Sequence, residues 1–321
     1  MNNKLLKRVT TGCIIIFVFL YIVFGFIFTF YRMPDKTMED TIQKGELLLI
    51  NKLAGGDFFF GLKMPSFSKF KVDDIIYFLD PMDEDAPFHS RKRVIARVMA
   101  CPGDKYQMKT RQVYINDHFY EEPTTLKHSY RIVANEGVKL DTNFFNKYGL
   151  SEQINETSKW NLPDKYRELY SLNEEGELSI WDVPMTKEKS IEVANDSLIS
   201  YVSLVRSTVP GRYINIWPYS HYWMWNRWHT PDPFDVPEKG MLIKTTIRTI
   251  GAYDEIIEKY EGNKLIINDK NQVLINDKIS NRYTVKENYY IVLSDNRDRF
   301  YDTRTWGLLP EKYIIGKVIN K

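Results

Sequence analysis

Little in this chain argues for covalent crosslinks, for a strongly charged partner or for a repeated architecture. Cysteine occurs only twice in 321 residues. Cys13 lies in an apolar N-terminal run and Cys101 at a turn far along the chain. One sulfur would sit in lipid and the other in a folded body, so no disulfide is expected. Lys and Arg number 44 against 42 for Asp and Glu, a formal net charge of +2. That balance gives no global field for nucleic acid. No low-complexity segment is present. The Ile-Asn-Asp triplets at 115–117, 267–269 and 275–277 are a recurring turn type, too short for a repeat architecture. After the apolar run comes Tyr31-Arg32-Met33-Pro34, which lacks the small residues of a leader cleavage site.

Aromatic residues are abundant: 21 Tyr, 18 Phe and 7 Trp. With many Val and Ile they predict a mostly β body. From Gly12 to Phe30 no charge interrupts the sequence, and a run of about 20 residues is long enough to cross a bilayer as one helix. Lys4, Lys7 and Arg8 precede it and place the N-terminus in the cytoplasm. The expected order is a cytoplasmic tail over 1–10 and a single-pass transmembrane helix over 11–31. The body then lies on the outer (periplasmic) side of the cytoplasmic membrane, beside its lipids.

Within the body, Leu47–Ile50 reads as a buried strand. Asp74–Leu79 and Arg93–Ala100 read as strands too, the latter entering a Pro102-Gly103-Asp104 turn. Val113–Asp117 looks like a strand and tight turn. Leu265–Asp269 and Val273–Asp277 look like paired strands with Asn-Asp turns. Between about 121 and 245 the texture changes. Asn143–Tyr148 looks helical, 173–176 is an acidic turn, and 217–228 is rich in Trp and Tyr. Those aromatics suit either a membrane-interface or peptide-docking patch, or the core of an irregular insert.

Three segments carry the chemistry. Met33-Pro34-Asp35-Lys36-Thr37-Met38 follows the apolar run. Ile95–Asp104 ends in Pro-Gly-Asp. Ser294–Asp298, then Asp302–Gly307, follows the apolar strand Tyr289–Leu293. Together they resemble the signatures of the bacterial type I signal peptidases, the leader peptidases that cut signal peptides from exported preproteins. The resemblance covers the apolar run, roughly 33–118, and roughly 265–321. It implies a mostly β, signal-peptidase-like body, formed by 32–120 and 246–321, with an inserted cap domain over 121–245. It implies no cofactor and no metal.

Proteases of that kind use a serine activated by a neutral lysine, with donors facing the developing oxyanion. On this pattern Thr37 occupies the nucleophile position and Asp35 the serine whose hydroxyl helps form the oxyanion hole. Ala96 stands where the general-base lysine belongs, and Phe300 replaces a serine that orients that lysine. Met38, Arg97, Asp295, Asn296, Asp302 and Arg304 match the scaffold around the site. The resemblance further implies ion pairs between Arg97 and Asp295 and between Asp302 and Arg304.

Each departure has a physical consequence. A threonine keeps the hydroxyl but adds a methyl that restricts χ1. Alanine accepts no proton, and loss of such a base costs several orders of magnitude in rate. A carboxylate beside an oxyanion repels it. Lys36 faces away from Thr37 in an extended segment, Lys92 sits roughly 13 Å from position 96 along a strand, and His89 is further. The sequence therefore implies a signal peptidase homologue of impaired activity that binds preproteins or signal peptides, or partners an active signal peptidase. Two alternatives stand beside it: an active peptidase with Thr37 as nucleophile, and a structural envelope protein.

Overall fold

The computed structural model describes residues 3–22, 25, 27–56, 58–59, 62–66, 68–83, 85–150, 155–156, 180–205, 230, 232–297 and 302–321. A helix runs over Asn3–Ile22 and the chain then turns extended at Phe28–Arg32. This corrects the expected helix over 11–31 at its end. Phe28-Thr29-Phe30-Tyr31 is a β-favouring aromatic stretch, and it pairs antiparallel with Leu47–Asn51. Among the described residues no helix is long and apolar enough to cross a membrane.

The body is built on a seven-stranded antiparallel sheet. Its order is Phe28–Arg32, Leu47–Asn51, Ile314–Val318, Ile75–Leu79, Arg93–Ala100, Tyr289–Leu293 and Leu309–Pro310. Strands from both ends of the sequence are thus combined in one layer. Ile75–Leu79 and Tyr289–Leu293 are buried at every position, as near-continuous apolar runs should be. Leu47–Asn51 is buried on one face only. Leu48 and Ile50 point into the core while Leu47 is half exposed, because this strand lies next to the sheet edge.

Two-residue turns set the smaller hairpins. Asn116 and Asp117 have φ of 52° and 66°, and Asn276 and Asp277 have φ of 51° and 63°. Both central residues are left-handed, which matches the twist of tight hairpins and suits Asn and Asp. The first turn joins Gln112–Ile115 to His118–Phe119, and the second joins Val273–Ile275 to Lys278–Ile279. The expected pairing of Leu265–Ile267 with Val273–Ile275 is present.

A second antiparallel sheet of Asn155–Glu156, Ile180–Met185, His128–Ala134 and Ile199–Leu204 has its own apolar cluster around Ile132, Phe144, Phe145, Val183 and Val193. The helical reading of Asn143–Tyr148 holds over Thr142–Lys147, capped by the Asp141 carboxylate on the Phe144 N–H at 3.0 Å. The acidic turn at 173–176 and the aromatic stretch at 217–228 lie outside the described residues.

Candidate functional site

The turn after Phe28–Arg32 carries Asp35, Lys36, Thr37 and Met38. It is docked by backbone bonds. The Asn296 N–H donates to the Thr37 carbonyl at 3.0 Å, and its side-chain amide donates to the Lys36 carbonyl at 3.4 Å. Met38 is fully buried, and its sulfur accepts from the Asp295 N–H at 3.4 Å. These bonds bring a segment near position 37 against one near position 295.

Asp295 is the hub. Arg97 donates to it through Nε at 2.9 Å and Nη2 at 2.6 Å, and the Thr41 hydroxyl donates at 2.5 Å. The Arg97–Asp295 pair implied by the resemblance is therefore formed, and it is buried. Burial alone would depress the Arg97 guanidinium; its bond to Asp295 outweighs that and raises it. The Asp302–Arg304 pair is formed as well, through Nε at 2.8 Å and Nη2 at 2.5 Å. Burial works to raise the Asp302 carboxyl, but Arg304 dominates and holds it below the ordinary range. Asp302 also caps the short helix Thr303–Trp306, accepting from the Arg304 N–H at 3.1 Å. Phe300 lies outside the described residues.

Ala96 is buried in Arg93–Ala100, opposite Ile76 across the sheet. Its neighbour Arg97 points to the other face and reaches Asp295. The methyl at 96 sits within the main apolar cluster.

Thr37 is buried, and one carboxylate oxygen of Asp35 accepts two bonds from it. One comes from the Thr37 N–H at 2.9 Å and the other from its hydroxyl. Sequence reasoning treated Asp35 only as a charge repelling an oxyanion. The geometry adds that its Oδ1 is already bonded to the residue at the nucleophile position. Burial pushes the Tyr31 phenol up to about 12, with the Asp35 charge adding to the effect; its hydroxyl donates to the Arg93 carbonyl at 3.0 Å.

Sequence reasoning missed a third segment, residues 122–128. Lys127 forms a parallel bridge with Asn296: its N–H donates to the Asp295 carbonyl at 3.0 Å, and its carbonyl accepts from the Arg297 N–H at 2.9 Å. Its ammonium sits 3.1 Å from Glu39 and 3.2 Å from Asp40. The Thr125 hydroxyl lies 2.8 Å from that of Thr41. Glu122 receives His128 Nε2 at 2.8 Å and Arg297 Nε at 3.4 Å. Burial raises the Glu122 carboxyl, but these two partners outweigh it and hold it at about 2. No local signal in 122–128 marks it, since apart from the Glu122–His128 bond the contacts named here span more than 80 residues along the chain.

This β scaffold is matched by a known family. The family model for signal peptidase, peptidase S26, matches residues 6–168 and 239–320, more than half of the chain. The chain belongs to that family. The match leaves out 169–238, which contains the aromatic stretch. A signal peptidase I of Buchnera aphidicola subsp. Acyrthosiphon pisum is 21% identical over 315 residues, covering 95% of this chain and 71% of its own length. That of Buchnera aphidicola subsp. Baizongia pistaciae is 21% identical over 318 residues, covering 95% and 72%. A signal peptidase IB of Staphylococcus aureus is 29% identical over 125 residues, covering 38% of this chain and 54% of its own.

Proposed function

We propose that this chain is a membrane-anchored signal peptidase homologue that binds the signal peptides of exported preproteins and cleaves them poorly or not at all. One observation carries the proposal: position 96 is a buried methyl packed in the apolar core. A methyl accepts no proton, so the lysine base of the family pattern is gone. The acceptor that the Thr37 hydroxyl does meet is the Asp35 carboxylate, an anion beside the place where an oxyanion would form. The scaffold pairs persist around that loss, which favours retained binding over a decayed fold. An active peptidase working as this chain's partner would supply the missing chemistry.

The anchor is proposed on the surface of Asn3–Ile22. Ile14, Ile15, Ile16, Phe17, Phe19 and Tyr21 are each 60–71% exposed. Apolar side chains bare on every side of a helix suit lipid better than water. The body is then carried on the outer side of the cytoplasmic membrane, with residues 121–245 as the insert.

The test uses the full chain in lipid or detergent with a precursor bearing a signal peptide, and Thr37→Ala as control. Binding without cleavage, equal in both proteins, is the expected result. Cleavage that vanishes in Thr37→Ala means an active peptidase with a threonine nucleophile. Absence of both binding and cleavage in folded protein leaves a structural envelope role.

A further inference from the structure

We propose that Asp35 is a built-in occupant of the position where a tetrahedral oxyanion would be stabilised, so that the site accepts the uncut, neutral peptide and rejects the anion on the way to cleavage. The inference rests on the peptide-binding reading above and names what that site selects.

The geometry is specific. In acyl transfer by a hydroxyl nucleophile, the nucleophile's own backbone N–H is among the donors nearest the new oxyanion. Here the Thr37 N–H points at Asp35 Oδ1 at 2.9 Å, and the Thr37 hydroxyl donates to that same oxygen. A single carboxylate oxygen thus occupies the N–H that an oxyanion would need, and it also holds the hydroxyl proton. It places negative charge where negative charge would have to develop. The turn holds it there: Asn296 fixes the Thr37 and Lys36 carbonyls, and Met38 is buried beside Asp295. These bonds fix the backbone of the turn, and the bonds to Thr37 hold the Asp35 carboxylate within it. A planar amide brings no full charge to this place and is tolerated. A tetrahedral anion meets both an occupied donor and a like charge.

The experiment compares two ligands on the full chain in nanodiscs. One is a signal peptide with its ordinary scissile amide. The other carries a phosphinate there, a stable tetrahedral anion. Asp35→Ser and Asp35→Asn are measured beside the unaltered protein. Each phosphinate affinity is read against the amide affinity of the same protein. The phosphinate should bind Asp35→Ser at least about tenfold tighter, since one donor is freed and one charge removed. Asp35→Asn, which keeps an acceptor but loses the charge, should fall between. An unchanged phosphinate-to-amide ratio with intact amide binding overturns the proposal and leaves the binding role standing. Cleavage by the unaltered protein that Asp35→Asn abolishes also overturns it, because the carboxylate would then be serving as a base. If no variant binds either ligand, the binding role falls. The Asp35 contact is then decided by NMR of threonine-labelled protein: the Thr37 amide proton should move upfield in Asp35→Ser, and an unmoved resonance sinks the contact itself.

Discussion

Arg97 grips both oxygens of Asp295, through Nε at 2.9 Å and Nη2 at 2.6 Å, from a strand position directly opposite Leu293. This buried pair joins the middle of the sheet to the segment on which the Thr37 turn is docked. Breaking half of it leaves an uncompensated buried charge. Arg97→Ala should therefore cost about 3–5 kcal/mol in unfolding free energy, whereas the double replacement Arg97→Met with Asp295→Leu should cost less than Arg97→Ala alone. Denaturant unfolding of the single and double variants measures both. Additive losses would show that the pair carries no coupling.

Ala96→Lys should destabilise the fold. The new amine would enter a position that is 3% exposed and packed among apolar side chains. A cost of several kcal/mol at pH 7 is expected for such an unpaired buried ammonium. Burial lowers a lysine pKa, so the unfolded state binds the proton more readily and the deficit should shrink as pH rises towards about 10. Melting curves across that range check the sign.

Gly316 and Gly55 mark a close approach of two backbones. A Cβ on Gly316 would lie 2.5 Å from the Asn51 carbonyl oxygen, and one on Gly55 would lie 2.6 Å from the Ile315 carbonyl carbon. Neither neighbour is the end of a flexible side chain. Gly316→Ala and Gly55→Ala should each lower stability by about 1–3 kcal/mol, the usual range for overpacking. An unchanged melting temperature in either variant would show that the strands can separate without cost.

Glu122 should give the fold an acid-sensitive component. Its carboxyl drops from the ordinary 4.5 to about 2 in the folded protein. The depressed value means that its stabilisation is complete above pH 4.5 and is lost as pH falls from 4.5 towards 2. The urea midpoint should decline over that window, and Glu122→Gln should flatten the decline. A pH profile that is identical in the variant would place the acid sensitivity elsewhere.

Much of the scaffold was legible because its signals are local. Apolar runs gave Ile75–Leu79 and Tyr289–Leu293, and Asn-Asp pairs gave the turns at 116–117 and 276–277. The site positions came from motif resemblance, and the two ion pairs it implied are formed. The helix end was misjudged because Phe28–Arg32 is apolar enough to continue a membrane run, yet it pairs with Leu47–Asn51, a contact that no local pattern announces. The segment 122–128 was missed for the same physical reason: Lys127 and Asn296 meet only after the chain has folded. Asp35 was identified by position, but its bonds to Thr37 depend on a turn geometry that spacing alone does not fix.

The Lys127–Asn296 bridge also has a mechanical side. The second sheet begins at His128, the very next residue. A pull on that sheet would be transmitted through one peptide unit to the Asp295–Arg297 segment, where Asn296 holds the Thr37 carbonyl. The same segment is tied to the large sheet through the Arg97–Asp295 pair. The sheet that starts at His128 and the turn that carries Thr37 are thus joined by a short path.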